Sequence, residues 1–144
     1  MASFHKTATI IIVVLCSCNV LKGDPDETVV SKICNGDTGT TWSYNDLVND
    51  LLQDLVDHTP GSGFNYYKEK DEFLTNSCYG HGACNGLLTP PDCHKCLGDA
   101  KELIQKDCHF SVGAQVQLQD CRIRSCSLSN FRRVEKSAKR LCIR

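Results

Sequence analysis

The cysteines are the sequence feature that most limits what this chain can fold into. Eleven of its 144 residues are cysteine, and the segment CNGLLTPPDCHKC alone contains Cys84, Cys93 and Cys96. A domain of this size has a modest apolar core, and cysteine-rich chains in oxidising compartments supplement such a core with disulfides. The cysteine content therefore predicts a secreted, disulfide-stabilised domain.

The N-terminal segment has the pattern of an export signal. His5 and Lys6 precede an apolar run from Ala8 to Cys18, which has the length of a signal-peptide core and is too short to span a bilayer. We expect residues 1–23 to be cleaved off at a site within residues 18–23, and the product to be secreted without a transmembrane anchor. Nine cysteines would remain, an odd number, so at least one is left without a partner in its own chain.

The rest of the chain predicts a single α+β domain over residues 24–128, followed by a basic C-terminal extension over residues 129–144. An apolar stripe over residues 44–57 indicates a first helix with Ser43 as its N-cap, and Thr89–Pro90 starts a second helix that runs to about Lys106. Phe64 to Leu74 is interpreted as two strands with a turn at Lys70–Asp71, and residues 76–86 as another strand.

A further strand is predicted near the end of the domain. Residues alternate between polar and apolar from Ala114 to Leu118, which is typical of a strand with one buried face. Cys121 and Ile123 break this alternation, so either a bulge lies near Asp120 or the sheet is covered on both sides. A C-terminal helix is expected from Phe131 to Leu141, with a basic, solvated face.

Two functional interpretations of Cys93-His94-Lys95-Cys96 are alternatives to a structural role. A cysteine pair at a helix start has the placement of a redox centre, and the same pair with His81, Cys84 or Cys108–His109 has the spacing of a zinc site. Redox motifs follow a strand in a βαβ unit with few other cysteines, and secreted cysteine-rich chains form disulfides more often than zinc sites. We therefore predict structural disulfides, with no metal and no cofactor.

Catalysis and nucleic-acid binding are not expected either. The sequence has no Gly-x-Ser-x-Gly and no His-Glu-x-x-His motif, so we predict that the protein is not an enzyme. The net charge of −1 gives no general attraction to nucleic acid.

The cysteine spacing resembles that of a known family. Cys84, Cys93 and Cys96 have the C-x8-C-x2-C spacing of the plant ginkbilobin-like antifungal domain, also called the stress-antifungal domain. The resemblance includes CNG at Cys34, NYYKEK, CYGHGACNG and GAQVQLQDC, and it covers residues 28–127. It implies two helices packed on a four- to five-stranded antiparallel sheet, with the bridges Cys34–Cys108, Cys84–Cys93 and Cys96–Cys121.

The cysteines outside this framework leave two hypotheses. A fourth bridge between Cys78 and Cys126 would leave Cys142 for a bond between chains, and a bridge between Cys126 and Cys142 would fix the basic extension to the domain. We expect the protein to be a monomer or a cysteine-linked dimer.

The resemblance also implies a binding site. Members of the family that bind mannose contact the sugar hydroxyls through an asparagine, an arginine and a glutamate. Asn35 matches the asparagine, Gln115 stands in the place of the arginine, and Cys126 stands in the place of the glutamate. Glutamine keeps hydrogen-bonding capacity but loses the charge, and cysteine is a weak acceptor.

The resemblance therefore implies a secreted plant defence protein with a degenerate carbohydrate site, whose ligand is a mannose-containing glycan or the fungal cell wall. The alternative is a non-lectin extracellular module that binds a protein partner.

Overall fold

The chain folds as two helices on a five-stranded antiparallel sheet. A computed structural model describes residues 24–35, 42–72, 76–109 and 111–127. The helices are α1 (Trp42–His58) and α2 (Pro90–Asp107), and the strands are β1 (Val29–Cys34), β2 (Asn65–Glu72), β3 (Asn76–Cys84), β4 (Gly113–Leu118) and β5 (Cys121–Ser127). The sheet order is β1-β4-β5-β3-β2, so β1 and β2 are the edges. The predicted α+β architecture is confirmed.

The predicted export signal (residues 1–23), and the C-terminal extension (residues 129–144) with its expected helix, lie outside the described residues. Neither described helix combines the length and apolar character that crossing a membrane requires.

Both helices lie on the same face of the sheet and form the core with it. Helix α1 buries Leu51, Leu52 and Leu55 completely, as its apolar stripe predicts. Helix α2 begins after Thr89, whose side chain accepts a hydrogen bond from the Asp92 N–H while the Asp92 carboxylate accepts one from the Thr89 N–H, a capping box. The predicted N-cap of α1 is wrong, because the backbone is already helical at Trp42 and Ser43 therefore lies inside the first turn.

The structure also corrects two interpretations of the strands. Asn65 to Glu72 is one continuous strand, because each of its residues pairs with β3, including Lys70 with Cys78 and Asp71 with Ser77. A turn at Lys70–Asp71 would remove these pairings. The break in alternation near Asp120 is not a bulge: β4 and β5 form a hairpin, and the chain reversal at Gln119–Asp120 returns Cys121 and Ile123 to the core face.

Three disulfides join the helical layer to the sheet. Cys34–Cys108 connects the end of β1 to the end of α2, Cys84–Cys93 connects β3 to the first turn of α2, and Cys96–Cys121 connects α2 to the start of β5. These are the pairs that the family resemblance implies. Cys93 and Cys96 thus have different partners, so they are not the dithiol pair that a redox centre needs.

The hypothetical bridge between Cys78 and Cys126 is not present. The register pairs Tyr79, not Cys78, with Cys126, so the Cys78 side chain lies on the opposite face of the sheet. Cys78 is completely buried in the core, with its Sγ 3.8 Å from the Leu47 carbonyl oxygen. Cys126 is disulfide-bonded, and the competing pair Cys126–Cys142 includes a residue outside the described part of the chain.

Candidate functional site

The face of the sheet opposite the helices, which we call the outer face, carries a row of polar side chains. In β5, Ile123 is buried under the helices, so Arg122 and Arg124 on either side of it point to the outer face. The strand register places Gln115 of β4 on one side of Arg124 and His81 of β3 on the other. The outer face therefore brings together charged and amide groups from three neighbouring strands.

The three residues matched to the family's sugar contacts occupy one end of this face. The backbone N–H of Asn35 donates to the Gly113 carbonyl oxygen at 2.8 Å. A Cβ placed on Gly113 would lie 3.3 Å from Asn35 Nδ2 and 3.5 Å from Cys126 Cβ, so these two side chains flank the glycine. Gln115 is the next outer-face residue of β4 and is half-buried. The predicted residues are therefore spatial neighbours.

Their chemistry is that of a neutral hydrogen-bonding site. The exposed Asn35 amide both donates and accepts, as does the Gln115 amide. Cys126 is disulfide-bonded, so its sulfur has no proton to donate and gives only a weak acceptor where the family has a carboxylate.

Arg122 and Arg124 supply positive charge that the sequence interpretation did not assign to the site. Arg124 is only 8% exposed, and its Nε and Nη2 have no hydrogen-bond partner within the described part of the chain. The Nε of Arg122 is likewise buried without a partner. Burial and, next, the neighbouring Arg122 lower the pKa of Arg124, but a guanidinium stays protonated in proteins.

His81 completes the polar row. It is 2% exposed, its Nε2 lies 2.6 Å from Asn65 Oδ1, and its ring stacks on Tyr67 with the centroids 4.0 Å apart. Burial, followed by the positive charges of Arg124 and Arg122, lowers the pKa of His81 to about 4. The imidazole is therefore neutral near pH 7 and donates its Nε2 proton to the Asn65 oxygen.

The zinc hypothesis has no ligand set in this geometry. All four candidate cysteine ligands are bonded in disulfides: Cys84, Cys93, Cys96 and Cys108. Across residues 24–35, 42–72, 76–109 and 111–127, no three His, Cys, Asp or Glu side chains are grouped to hold a metal ion.

A second charged cluster lies beside the N-terminal end of α2. Lys95 forms ion pairs with Glu27 and, at 3.5 Å, with Asp99. Burial, followed by the hydrogen bond to Glu27, raises the pKa of Asp99. One lysine therefore pairs with both carboxylates. Its ion pair with Glu27 links the segment before β1 to helix α2, which gives this cluster a structural role.

Comparisons with known proteins agree with this architecture. Residues 33–127 match the family model described as salt stress response/antifungal. The chain is 35% identical over 106 residues to the antifungal protein ginkbilobin-like protein 2 of Picea glauca, covering 71% of this chain and 78% of that protein. It is 31% identical over 96 residues to the antifungal protein ginkbilobin-2 of Ginkgo biloba, covering 65% of this chain and 72% of that protein.

A solved structure has the same fold. The tandem DUF26 ectodomain of an Arabidopsis thaliana cysteine-rich receptor-like protein aligns with a TM-score of 0.59 and 26% identity, over 71% of this chain and 46% of that chain. This chain thus spans about half the length of that ectodomain. The family match over residues 33–127 includes both helices, the sheet except the first residues of β1, and all six cysteines of the three disulfides. With that match and the shared fold, the chain belongs to the salt stress response/antifungal family.

Proposed function

We propose that this chain is a secreted plant defence protein that binds carbohydrate at the Asn35 end of the outer face. The observation that carries the proposal is that the Asn35 side chain lies against Gly113 of β4, while Gln115, the next residue of β4 on the outer face, projects from the same surface. The relatives named as antifungal proteins support a defence role.

The chemistry of the outer face fits a sugar. Side-chain amides donate and accept hydrogen bonds, as sugar hydroxyls require. Arg124 lies beside Gln115 in the register, so a guanidinium is available one strand away from the position where the family has its arginine. Tyr67 is 48% exposed and offers an aromatic surface at the other side of the row. A mannose-containing glycan, such as one of the fungal cell wall, is therefore the ligand class we propose.

A glycan array with the oxidised protein tests this proposal. We expect binding to mannose oligomers or mannan, and Asn35→Ala should weaken it about tenfold, the effect of losing two hydrogen bonds of ordinary strength. Asn49→Ala is the matched control, because Asn49 lies on α1, across the sheet, where its amide contacts Gln105. Weakening by the control as large as by Asn35→Ala would contradict the proposed site.

Absence of glycan binding by the unmodified protein would exclude the carbohydrate proposal and favour the alternative, an extracellular protein-interaction module. Strand β1 supports that alternative, because it is an edge strand with Val29, Val30 and Ile33 each at least 50% exposed. An edge strand has backbone groups available for pairing with another chain.

A further inference from the structure

We propose that Arg122 and Arg124 bind the carboxylate or sulfate group of an acidic glycan. This inference rests on the proposed carbohydrate function and specifies its ligand class: a sugar chain that carries negative charge, in addition to the neutral hydroxyls contacted near Asn35.

The first support is the unsatisfied hydrogen-bonding capacity of the two arginines. Most buried polar groups in proteins have a partner, and buried charges are paired. Arg124 is more than nine-tenths buried, yet two of its three nitrogens have no partner in the described part of the chain, and the same is true of Arg122 Nε. These three nitrogens are inaccessible to solvent in the described conformation, so a ligand with acceptor oxygens would satisfy them once the two arginine side chains turn outward.

The second support is that neither arginine forms an ion pair with a described residue. The ion pairs of the described residues involve lysines and histidines, and none includes Arg122 or Arg124. On the same face, Glu69 accepts a hydrogen bond from the Tyr79 hydroxyl. His81, on the other side of Arg124, is neutral and contributes no negative charge. Arg122 and Arg124 therefore carry positive charge that no described ion pair neutralises.

The third support is the arrangement around the two arginines. They alternate with Ile123 on one strand, so both guanidinium groups project from the same face. Planar guanidinium groups bind carboxylate and sulfate oxygens with two parallel hydrogen bonds. Gln115 and Gln117 lie beside Arg124 and Arg122 in the register and are half-buried, so their amides are placed to contact hydroxyls of the same sugar unit.

The experiment compares sugars that differ only in the charged group. Binding of a β-1,4-mannose hexamer, the corresponding mannuronate hexamer and its sulfated counterpart is measured by calorimetry at physiological ionic strength, where long-range attraction is screened. We expect at least one acidic hexamer to bind about tenfold or more tightly than the neutral one, as charge-assisted hydrogen bonds imply. Inorganic sulfate and phosphate alone should bind more weakly than the acidic hexamer.

Two variants locate the effect. Arg124→Gln and Arg122→Gln should each abolish the preference for the acidic sugar. Arg124→Gln should fold normally because it removes a buried charge that forms no ion pair with a described residue. Arg124→Lys keeps the charge but not the two parallel bonds, so it should retain part of the preference. Lys101→Gln on α2 is the charge-matched control and should leave the preference unchanged, since its amine contacts Gln53 on the helical side.

The outcomes separate this inference from the proposed function. Equal binding of neutral and acidic hexamers, or a preference that survives Arg124→Gln, would overturn the inference, while a loss of neutral-sugar binding in Asn35→Ala would still support the carbohydrate site. Binding of an acidic hexamer that depends on Arg124, with no binding of any neutral glycan, would support the anion site and overturn the mannose site. Inorganic ions that bind as tightly as the hexamer would overturn the glycan as ligand.

Discussion

His81 lies where an added positive charge is costly. Its ring is enclosed by Tyr67 and Asn65 on β2 and by Arg122 and Arg124 on β5. Its pKa is lowered from 6.5 to about 4, so below pH 6.5 the unfolded chain binds a proton that the folded chain does not. The contribution of neutral His81 to stability is therefore complete above about pH 6.5 and is lost progressively as the pH falls to about 4.

This titration predicts a pH-dependent difference between two variants. His81→Gln keeps a donor for Asn65 and cannot titrate, so it should lose less stability than the unmodified protein between pH 6.5 and pH 4. Urea unfolding at several pH values measures the difference. Identical pH profiles for the unmodified protein and His81→Gln would show that His81 does not titrate as expected.

The sequence predicted some of the residues that the outer face brings together and missed others. Asn35, Gln115 and Cys126 were found because their positions relative to the framework cysteines match the family pattern, and the structure makes them neighbours. The burial of Arg124 and His81 was not predicted, because it depends on which strands flank β5. The alternation of Arg122 and Arg124 with Cys121, Ile123 and Ser125 was a signal that could have placed both arginines on one face.

The contact between helix α1 and strand β3 depends on the absence of a side chain at Gly80. A Cβ there would lie 2.7 Å from Leu55 Cδ1 and 3.0 Å from Leu51 Cδ2, and both leucines are completely buried. The helix approaches the sheet as closely as it does because a glycine faces these two side chains.

Gly80→Ala should therefore destabilise the protein. We expect a loss of about 1–3 kcal/mol from overpacking, partly offset by the reduced entropy of the unfolded chain. Gly98→Ala on α2 is the matched control: a Cβ there meets nothing within 4 Å, and alanine favours a helix interior by roughly 0.5–1 kcal/mol. Urea unfolding should thus give opposite signs for the two variants. A gain in stability from Gly80→Ala would mean that Leu51 and Leu55 move apart without cost.

The elements that the sequence predicted correctly are those whose pattern is local. The apolar stripe of α1, and the Thr89–Pro90 start of α2 with its capping box, need no knowledge of the partners. The supposed turn at Lys70–Asp71 was wrong because these polar residues are held in a strand by pairing with Cys78 and Ser77. The β4–β5 hairpin was missed because Gln119–Asp120 lacks the glycine that marks tight turns.

The three disulfides connect the helical layer to the sheet at both ends of α2. Two of them enclose chain segments of very different length: Cys34–Cys108 spans a sequence separation of 74, and Cys84–Cys93 a separation of 9. In the chain-entropy model, the longer loop restricts the unfolded chain more, by about 4.5 kcal/mol against about 2.7 kcal/mol. Typical domains have a total stability of about 5–15 kcal/mol, so either bridge is a large part of it.

Removing the bridges one at a time tests whether loop length governs the stability of this fold. Cys34→Ala with Cys108→Ala should lower the free energy of unfolding by more than Cys84→Ala with Cys93→Ala, in urea titrations of the otherwise oxidised proteins. Cys93 is completely buried and Cys34 is exposed, so lost packing alone would give the opposite order. A larger loss from the Cys84–Cys93 pair would therefore assign the effect of these bridges to native packing around the start of α2 rather than to the entropy of the unfolded chain.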